Sequence, residues 1–256
     1  MIPIAVSAPV VGSTRMGDYH VLTFRDFDIA RGARPGQFVN VATDRFLRRP
    51  FSVYRADPST GDIAIAFDAI GPGTGWLAGR AAGDRLDVVG PLGHGFEVPQ
   101  TSSPDLVVGG GYGSAALSFL AEQLAARGRR VHAILGARTA ARLFVDDALR
   151  TSCASVELTT DDGSAGARGF VTDVMQRVIE AHEIGTIFAC GTMPMLRAVS
   201  ETAKSVPAQL AVEEFMACGI GVCWTCVLPV HANGSRKHLR SCTEGPVFKA
   251  ANVAWA

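Results

Sequence analysis

Four cysteines spaced Cys218-x4-Cys223-x2-Cys226-x15-Cys242 crowd the last 39 residues of a 256-residue chain. A segment that short buries too little apolar surface to build its own core, so a metal or cluster is expected to staple it. Disulfides are one staple for such a segment, but the opening Met1-Ile2-Pro3-Ile4 lacks the basic stretch and apolar run of a secretory leader. A soluble, cytoplasmic chain is expected, and there cysteines stay reduced. The uncharged runs 106–121 and 215–230 are each 16 residues long and carry several glycines. Both fall short of the roughly 20 apolar residues that span a bilayer.

The first three spacings follow the plant-type [2Fe–2S] pattern, in which C-x4-C-x2-C is completed by a distant fourth cysteine. Sulfide-bridged ferric irons favour anionic thiolates, and Gly219 and Gly221 between the first two cysteines let backbone N–H groups turn toward sulfur. Cys218, Cys223, Cys226 and Cys242 are therefore the candidate ligands. A structural zinc also takes thiolates, usually from two short knuckles, whereas Cys242 stands alone. Unrelated buried thiols are the third reading. Cys153, outside the spacing, reads as an ordinary small buried residue.

Lys and Arg (24) balance Asp and Glu (24). A zero balance argues against a grip on a nucleic-acid backbone, and 7% aromatics argue against a stacking platform for single strands. Hydrophobic residues at 48% support a sizeable core.

The rhythm of the chain predicts a multi-domain fold. Over residues 1–99, short runs such as Tyr19–Phe24, Gln37–Val41 and Asp62–Phe67 are separated by Arg34-Pro35-Gly36, Gly71-Pro72-Gly73 and Gly90-Pro91-Leu92-Gly93. That pattern predicts a small antiparallel β-barrel. Over 104–210, strands at Leu106–Val108, Val131–Leu135, Ser155–Thr160 and Thr186–Ala189 alternate with helical spacings (Ala115 to Leu124; Val171 to Ile179, capped by Thr172), and Pro194 opens a last helix. This predicts an α/β unit with a doubly wound parallel sheet. Residues 211–256 form the third, cysteine-bearing part.

Gly109-Gly110-Gly111-Tyr112-Gly113-Ser114 follows a strand and opens a helix, a setting in which free N–H groups receive a phosphate. Ser114 replaces the last glycine of G-x-G-x-x-G, and Ala137-Arg138 stands where an NAD fold places an acid. A plain strand–turn–helix corner reads as well. Arg48-Arg49-Pro50-Phe51-Ser52 begins a strand; its guanidinium could clamp a pyrophosphate, or it is an exposed basic turn.

Taken in order, Arg49-Pro50-Phe51-Ser52, Gly73-Thr74, the glycine loop, and Cys190-Gly191 with Met193–Leu196 resemble the ferredoxin–NADP reductase superfamily. Thr159–Ser164 with Gly169–Asp173, Glu213–Gly221 and Cys242–Phe248 are similar to the electron-transfer subunits of dihydroorotate dehydrogenase B, and nearly the whole chain is covered. The resemblance implies FAD on the barrel, with Arg49 at its pyrophosphate and Pro50, Phe51 and Ser52 along it. Gly73 and Thr74 are implied as a second contact, and Ala66, Phe67 and Asp68 as a third. The pyridine nucleotide, NAD, is implied over Gly109, Gly110, Gly111 and Gly113 and beside Gly191, with Ser52 and Cys190 as catalytic candidates. The family's partner is an FMN-containing dihydroorotate dehydrogenase subunit, in a heterotetramer of two of each. Electrons would pass from that FMN through the cluster and FAD to NAD+. Related reductases serve ferredoxin:NADP oxidoreductases or hydrogenases, and a zinc-stapled binding module without redox chemistry is a reading from another class. The chain departs from the pattern at Asp68, where arginine is common; at Thr192, where proline is usual; and at Trp224-Thr225, which replaces a smaller pair.

Overall fold

The computed structural model describes residues 3–232 and 234–255. The strands and helices, in order, are β1 (Ile4–Met16), β2 (Tyr19–Arg25), α1 (Phe27–Gly32), β3 (Phe38–Val41), β4 (Arg49–Asp57), β5 (Asp62–Phe67), α2 (Pro72–Ala78) and β6 (Arg85–Leu92). There follow β7 (Asp105–Gly110), α3 (Ser114–Ala126), β8 (Val131–Ala137), α4 (Asp147–Ser152), β9 (Ser155–Thr160), β10 (Ala167–Arg168), α5 (Val171–His182), β11 (Thr186–Gly191), α6 (Met193–Ala203) and β12 (Ala208–Val212). The last are β13 (Val227–Ala232), β14 (Ser235–Arg240) and β15 (Val247–Lys249).

Among the described residues, six strands close an antiparallel barrel in the order β1-β2-β5-β4-β3-β6. Alternation along β2 and β4 puts Leu22, Phe24, Phe51 and Val53 into a barrel core with Val39, Ile63, Ile65 and Val88. The second sheet runs β10-β9-β8-β7-β11-β12-β15. It is parallel from β10 to β12, and its strands are apolar on both faces because helices cover both. α3 lies in one core and α5 and α6 in the other.

The expected barrel and doubly wound sheet are both present. Helix α5 differs in one detail. Thr172 lies inside its first turn, and the cap comes from Asp173, whose side chain accepts from the N–H of Phe170 at 2.7 Å.

The barrel and the α/β unit share a third core, made of Tyr19, Val21, Tyr54, Ala64, Ala66, Ala115 and Phe144. Asp146 is buried at its edge. It accepts from Tyr54 Oη at 2.6 Å, Ser118 Oγ at 3.1 Å and Leu149 N at 2.8 Å. A buried carboxylate satisfied by these donors and by Arg55 Nη2 at 3.5 Å fixes the two units against each other.

The cysteine segment is tied at both ends. It begins after β12, within which the boundary expected at 210/211 falls. It returns as β15, which pairs antiparallel with β12 through Gln209↔Lys249, Leu210↔Phe248 and Ala211↔Val247. Between them β13 and β14 form a hairpin. Among the described residues no helix is long and apolar enough to cross a membrane.

Candidate functional site

The four cysteines are free thiols arranged as two pairs. The Cys218 and Cys223 side chains interact with each other, as do those of Cys226 and Cys242. Among the described residues no three potential ligands converge on one point. Cys242 also senses Cys218, so all four thiols share one electrostatic neighbourhood, and their spacing suits a binuclear cluster better than the short double knuckles of a zinc site. The donors around sulfur fit as well: Ile220 N points at Cys218 Sγ (3.5 Å) and Thr225 Oγ1 at Cys223 Sγ (3.1 Å). Gly219 and Gly221 hold left-handed backbone (φ +69° and +85°), and a Cβ at either would collide with Asn40 Nδ2 (2.6 Å) or Thr243 Cγ2 (2.7 Å).

The four are unequally buried. Cys226 and Cys242 are buried against Phe38 and Leu92 of the barrel, while Cys223 is exposed. Phe38 is also the cross-strand partner of Ser52, and Asn40 that of Pro50. Asn40, buried within β3, donates from its side chain to the carbonyl of Cys218 at 2.9 Å. The barrel strand beside the expected flavin strand therefore carries the floor of the cysteine loop.

On β4, Ser52 is exposed between buried Phe51 and Val53, and Arg49 and Pro50 are half-buried. Arg49 Nη1 donates to the carbonyls of Leu47 (3.1 Å) and Arg48 (3.2 Å). Arg48 is committed elsewhere, to Asp87 Oδ2 at 2.6 Å. A Cβ at Gly73 would stand 3.2 Å from Thr43 Oγ1 and 3.6 Å from Arg49 Nε, so the missing side chain leaves a cradle beside the guanidinium. The Thr74 hydroxyl closes its own turn, accepting from Gly71 N at 3.1 Å. Ala66 and Phe67 are consumed by packing, Phe67 against Phe51 (centroids 5.3 Å) and His20 (5.6 Å). Asp68 pairs with Arg142 from the α/β unit.

The glycine loop continues β7 through Gly110, makes a tight turn at Gly111–Gly113 and opens α3 at Ser114. Packing explains most of these glycines. A Cβ at Gly109 would meet Ser114 Oγ at 2.3 Å, and one at Gly113 would meet the Cys190 carbonyl at 2.9 Å. Cβ atoms at Gly110 and Gly191 would strike Met195 Sδ at 2.5 and 2.8 Å. Gly111 is left-handed (φ +54°) beside Tyr19. Gly110, Gly113, Cys190 and Gly191 thus meet at the C-terminal edge of the parallel sheet, where β7 and β11 lie side by side. The Ser114 hydroxyl is buried there without a partner.

A scan of known families matches residues 213–254 to the iron–sulfur cluster binding domain of dihydroorotate dehydrogenase B. The dihydroorotate dehydrogenase B (NAD(+)) electron transfer subunit of Desulforamulus reducens is 37% identical over 234 residues, covering 89% of each chain. That of Bacillus caldolyticus is 41% identical over 227 residues, 86% of each. The chain belongs to this family.

A solved structure of an NADH-dependent reduced ferredoxin–NADP oxidoreductase, described for flavin-based electron bifurcation, superposes with a TM-score of 0.84 at 30% identity. It covers 98% of this chain and 90% of that one. The ferredoxin reductase of carbazole 1,9a-dioxygenase (TM-score 0.66, 22% identity, 80% of this chain and 66% of that one) shares the fold.

For a member of the dihydroorotate dehydrogenase B family, the groups around the glycine loop make contacts that the motifs did not announce. The Tyr112 phenol engages the Glu213 carboxyl, and burial pushes both groups up from their ordinary pKa values. Burial, with Glu213 adding, also pushes the Cys190 thiol well up, so it stays protonated. Arg142 pairs with Asp68 and lies 4.8 Å over the Tyr19 ring, and Tyr19 Oη donates to the Arg142 carbonyl at 2.8 Å. Asn40 and Arg142 stand far in sequence from the groups they serve and repeat no spacing. Tyr112 and Glu213 lie within the quoted glycine loop and the run that leads into Cys218, but nothing in the sequence pairs them.

Proposed function

We propose that this chain is the electron-transfer subunit of an NAD+-linked dihydroorotate dehydrogenase, taking electrons from an FMN-containing catalytic subunit and delivering them to NAD+. When bound, FAD and the [2Fe–2S] cluster supply the exchange between single electrons and a hydride. The chain's residues hold these groups in line. Cys218, Cys223, Cys226 and Cys242 would hold the cluster, with Cys226 and Cys242 packed on the barrel. Arg49 clamps the flavin pyrophosphate, with Pro50 and Phe51 beside it, Gly73 and Thr74 lining the cradle and the end of β5 (Ala66, Phe67, Asp68) closing it. Ser52 faces the reactive edge. Gly109, Gly110, Gly111, Gly113 and Gly191 give the pyridine nucleotide a floor of bare backbone, with the neutral Cys190 thiol, the catalytic candidate, buried beneath it.

One observation carries this reading. Phe38 touches the buried thiol pair and is also the strand neighbour of Ser52, so the two proposed cofactor sites share one strand pair.

Residues 1–99, 104–210 and 211–256 serve as flavin, nucleotide and cluster units. The outward rim of the cysteine loop, with Phe215, Ile220, Val222 and Trp224 exposed, is the face for the catalytic subunit. The assembly is a cytoplasmic heterotetramer of two of each.

Anaerobically reconstituted protein should carry flavin and a reducible [2Fe–2S] signal, and should restore dihydroorotate:NAD+ activity to an FMN-containing dihydroorotate dehydrogenase that co-purifies with it. Cys223→Ser should lose the cluster and keep flavin. NADH-driven reduction of a small diffusible acceptor should then survive while partner-coupled transfer fails. Survival of both activities would remove the cluster from the path. The likeness to the ferredoxin–NADP oxidoreductase favours a second reading, in which the same subunit serves another complex. Stable capture of a different dehydrogenase, without dihydroorotate activity, would select it.

A further inference from the structure

Trp224 is unusual in three respects. It fills the short gap between Cys223 and Cys226, it is 57% exposed, and it holds a left-handed backbone (φ +56°) that bulky residues avoid. Its ring is not idle. The Arg240 guanidinium lies 4.8 Å from the ring centroid. The same guanidinium reaches into the cysteine loop, donating from Nη1 to the Gly221 carbonyl at 2.8 Å. Glu244 holds it from the other side, its Oε2 accepting from Arg240 Nε at 3.2 Å and from the Arg240 backbone N–H at 2.6 Å. The next residue, Ser241, donates its N–H to the Cys226 carbonyl at 2.8 Å, and Cys242 follows. One cation therefore joins the loop bearing the first three thiols to the turn bearing the fourth. Its charge is fixed in place by a ring, a carbonyl and a carboxylate.

We propose that Arg240, stacked on Trp224 and braced by Glu244, is a positioning residue that sets the reduction potential of the cluster bound by the four cysteines. The guanidinium interacts electrostatically with Cys242 and Cys226, so one-electron reduction of a cluster held by them would add a negative charge within its reach. A fixed positive charge favours the reduced state and raises the potential, and Glu244 offsets part of that effect. The pair thus sets the driving force for transfer in either direction. The inference rests on the cluster reading given above. Iron and sulfide analysis of the unaltered protein tests that reading first, and the signs of the shifts described next test the inference separately.

The experiment is a redox titration of the reconstituted, flavin-loaded chain, followed by the paramagnetic signal of the reduced cluster. Arg240→Gln removes the cation and leaves Glu244 uncompensated, so the midpoint should fall. Glu244→Gln leaves the cation uncompensated, so the midpoint should rise. Arg240→Lys keeps the charge and should stay near the unaltered value, and Trp224→Phe keeps a ring under the cation and should do the same. Opposite shifts in the first two variants support the proposal. If both shift the same way, or neither shifts while iron is retained, Arg240 is a structural brace only and the proposal fails. If Arg240→Gln binds too little iron to titrate, Glu244→Gln decides alone: a rise supports the proposal, and an unchanged or lowered midpoint overturns it.

Discussion

Asn40 donates its side-chain N–H to the carbonyl of Cys218 at 2.9 Å, across 178 residues of sequence. The donor is on a barrel strand and the acceptor on the first cysteine of the loop, so one neutral hydrogen bond fixes the loop to the barrel. Replacing Asn40 with Leu leaves the Cys218 carbonyl, at a partly buried contact, without its partner. The cost should be about 1–3 kcal/mol, read as a lower melting temperature. The rate of cluster reduction by NADH should fall as well, with flavin content normal. An unchanged rate would mean that this contact does not align the two sites.

Arg49→Ala should release flavin. The guanidinium lies beside the cradle at Gly73 and is steadied by the carbonyls of Leu47 and Arg48. Loss of a charge-assisted contact costs about 1.5–3 kcal/mol, or roughly 10- to 150-fold in affinity. Equilibrium dialysis with FAD measures it, and unaltered binding would refute the role.

Gly113→Ala should impair nucleotide use while sparing flavin. Its new methyl would stand 2.9 Å from the Cys190 carbonyl oxygen and 3.1 Å from Gly191 N, both backbone atoms that cannot swing aside. Overpacking of this kind costs about 1–3 kcal/mol. The expected signature is a raised KM for NADH at normal flavin occupancy.

His132 makes stability depend on pH. It is buried, its Nδ1 lies 2.7 Å from Ser155 Oγ, and its ring stacks on His182 with centroids 3.8 Å apart. Burial first, then His182 and Arg130, lower its pKa below the ordinary value. A histidine whose folded pKa is depressed is neutral in the fold and titrates more readily when unfolded. Its contribution is therefore present above about pH 6.5 and is lost as pH falls through the lower folded value. Melting temperatures between pH 7.5 and 5 should fall more steeply than those of His132→Gln, and parallel profiles would exclude the effect.

Much of this was legible in the chain because it is local. The cysteine spacing, the punctuated strands before residue 100 and the strand–helix alternation after it all arise from neighbours in sequence. Contacts between distant segments were not legible. Asn40 is one polar residue in an apolar strand, and Arg142 meets Asp68 across 74 residues of sequence. The short strand β15 exists because β12 needs an edge partner, and three residues carry no readable period. The glycine loop suggested ligand contact, yet Gly109 and Gly113 are also demanded by a serine and a neighbouring strand. The expected cap at Thr172 missed because Asp173 reaches back from one residue further on.

The pairing of β15 with β12 ties metal supply to colloidal behaviour. The entire cysteine loop lies between these two strands, so a chain that never receives iron must hold β15 by the packing of Phe248, Ala250 and Val253 alone and opens it more often. β12 would then present a row of unpaired backbone groups, an invitation to add a strand from another molecule. Iron-starved chains should accordingly sediment as aggregates while loaded chains stay dispersed. In that sense the last strand of the sheet acts as a stopper that the cluster keeps in place.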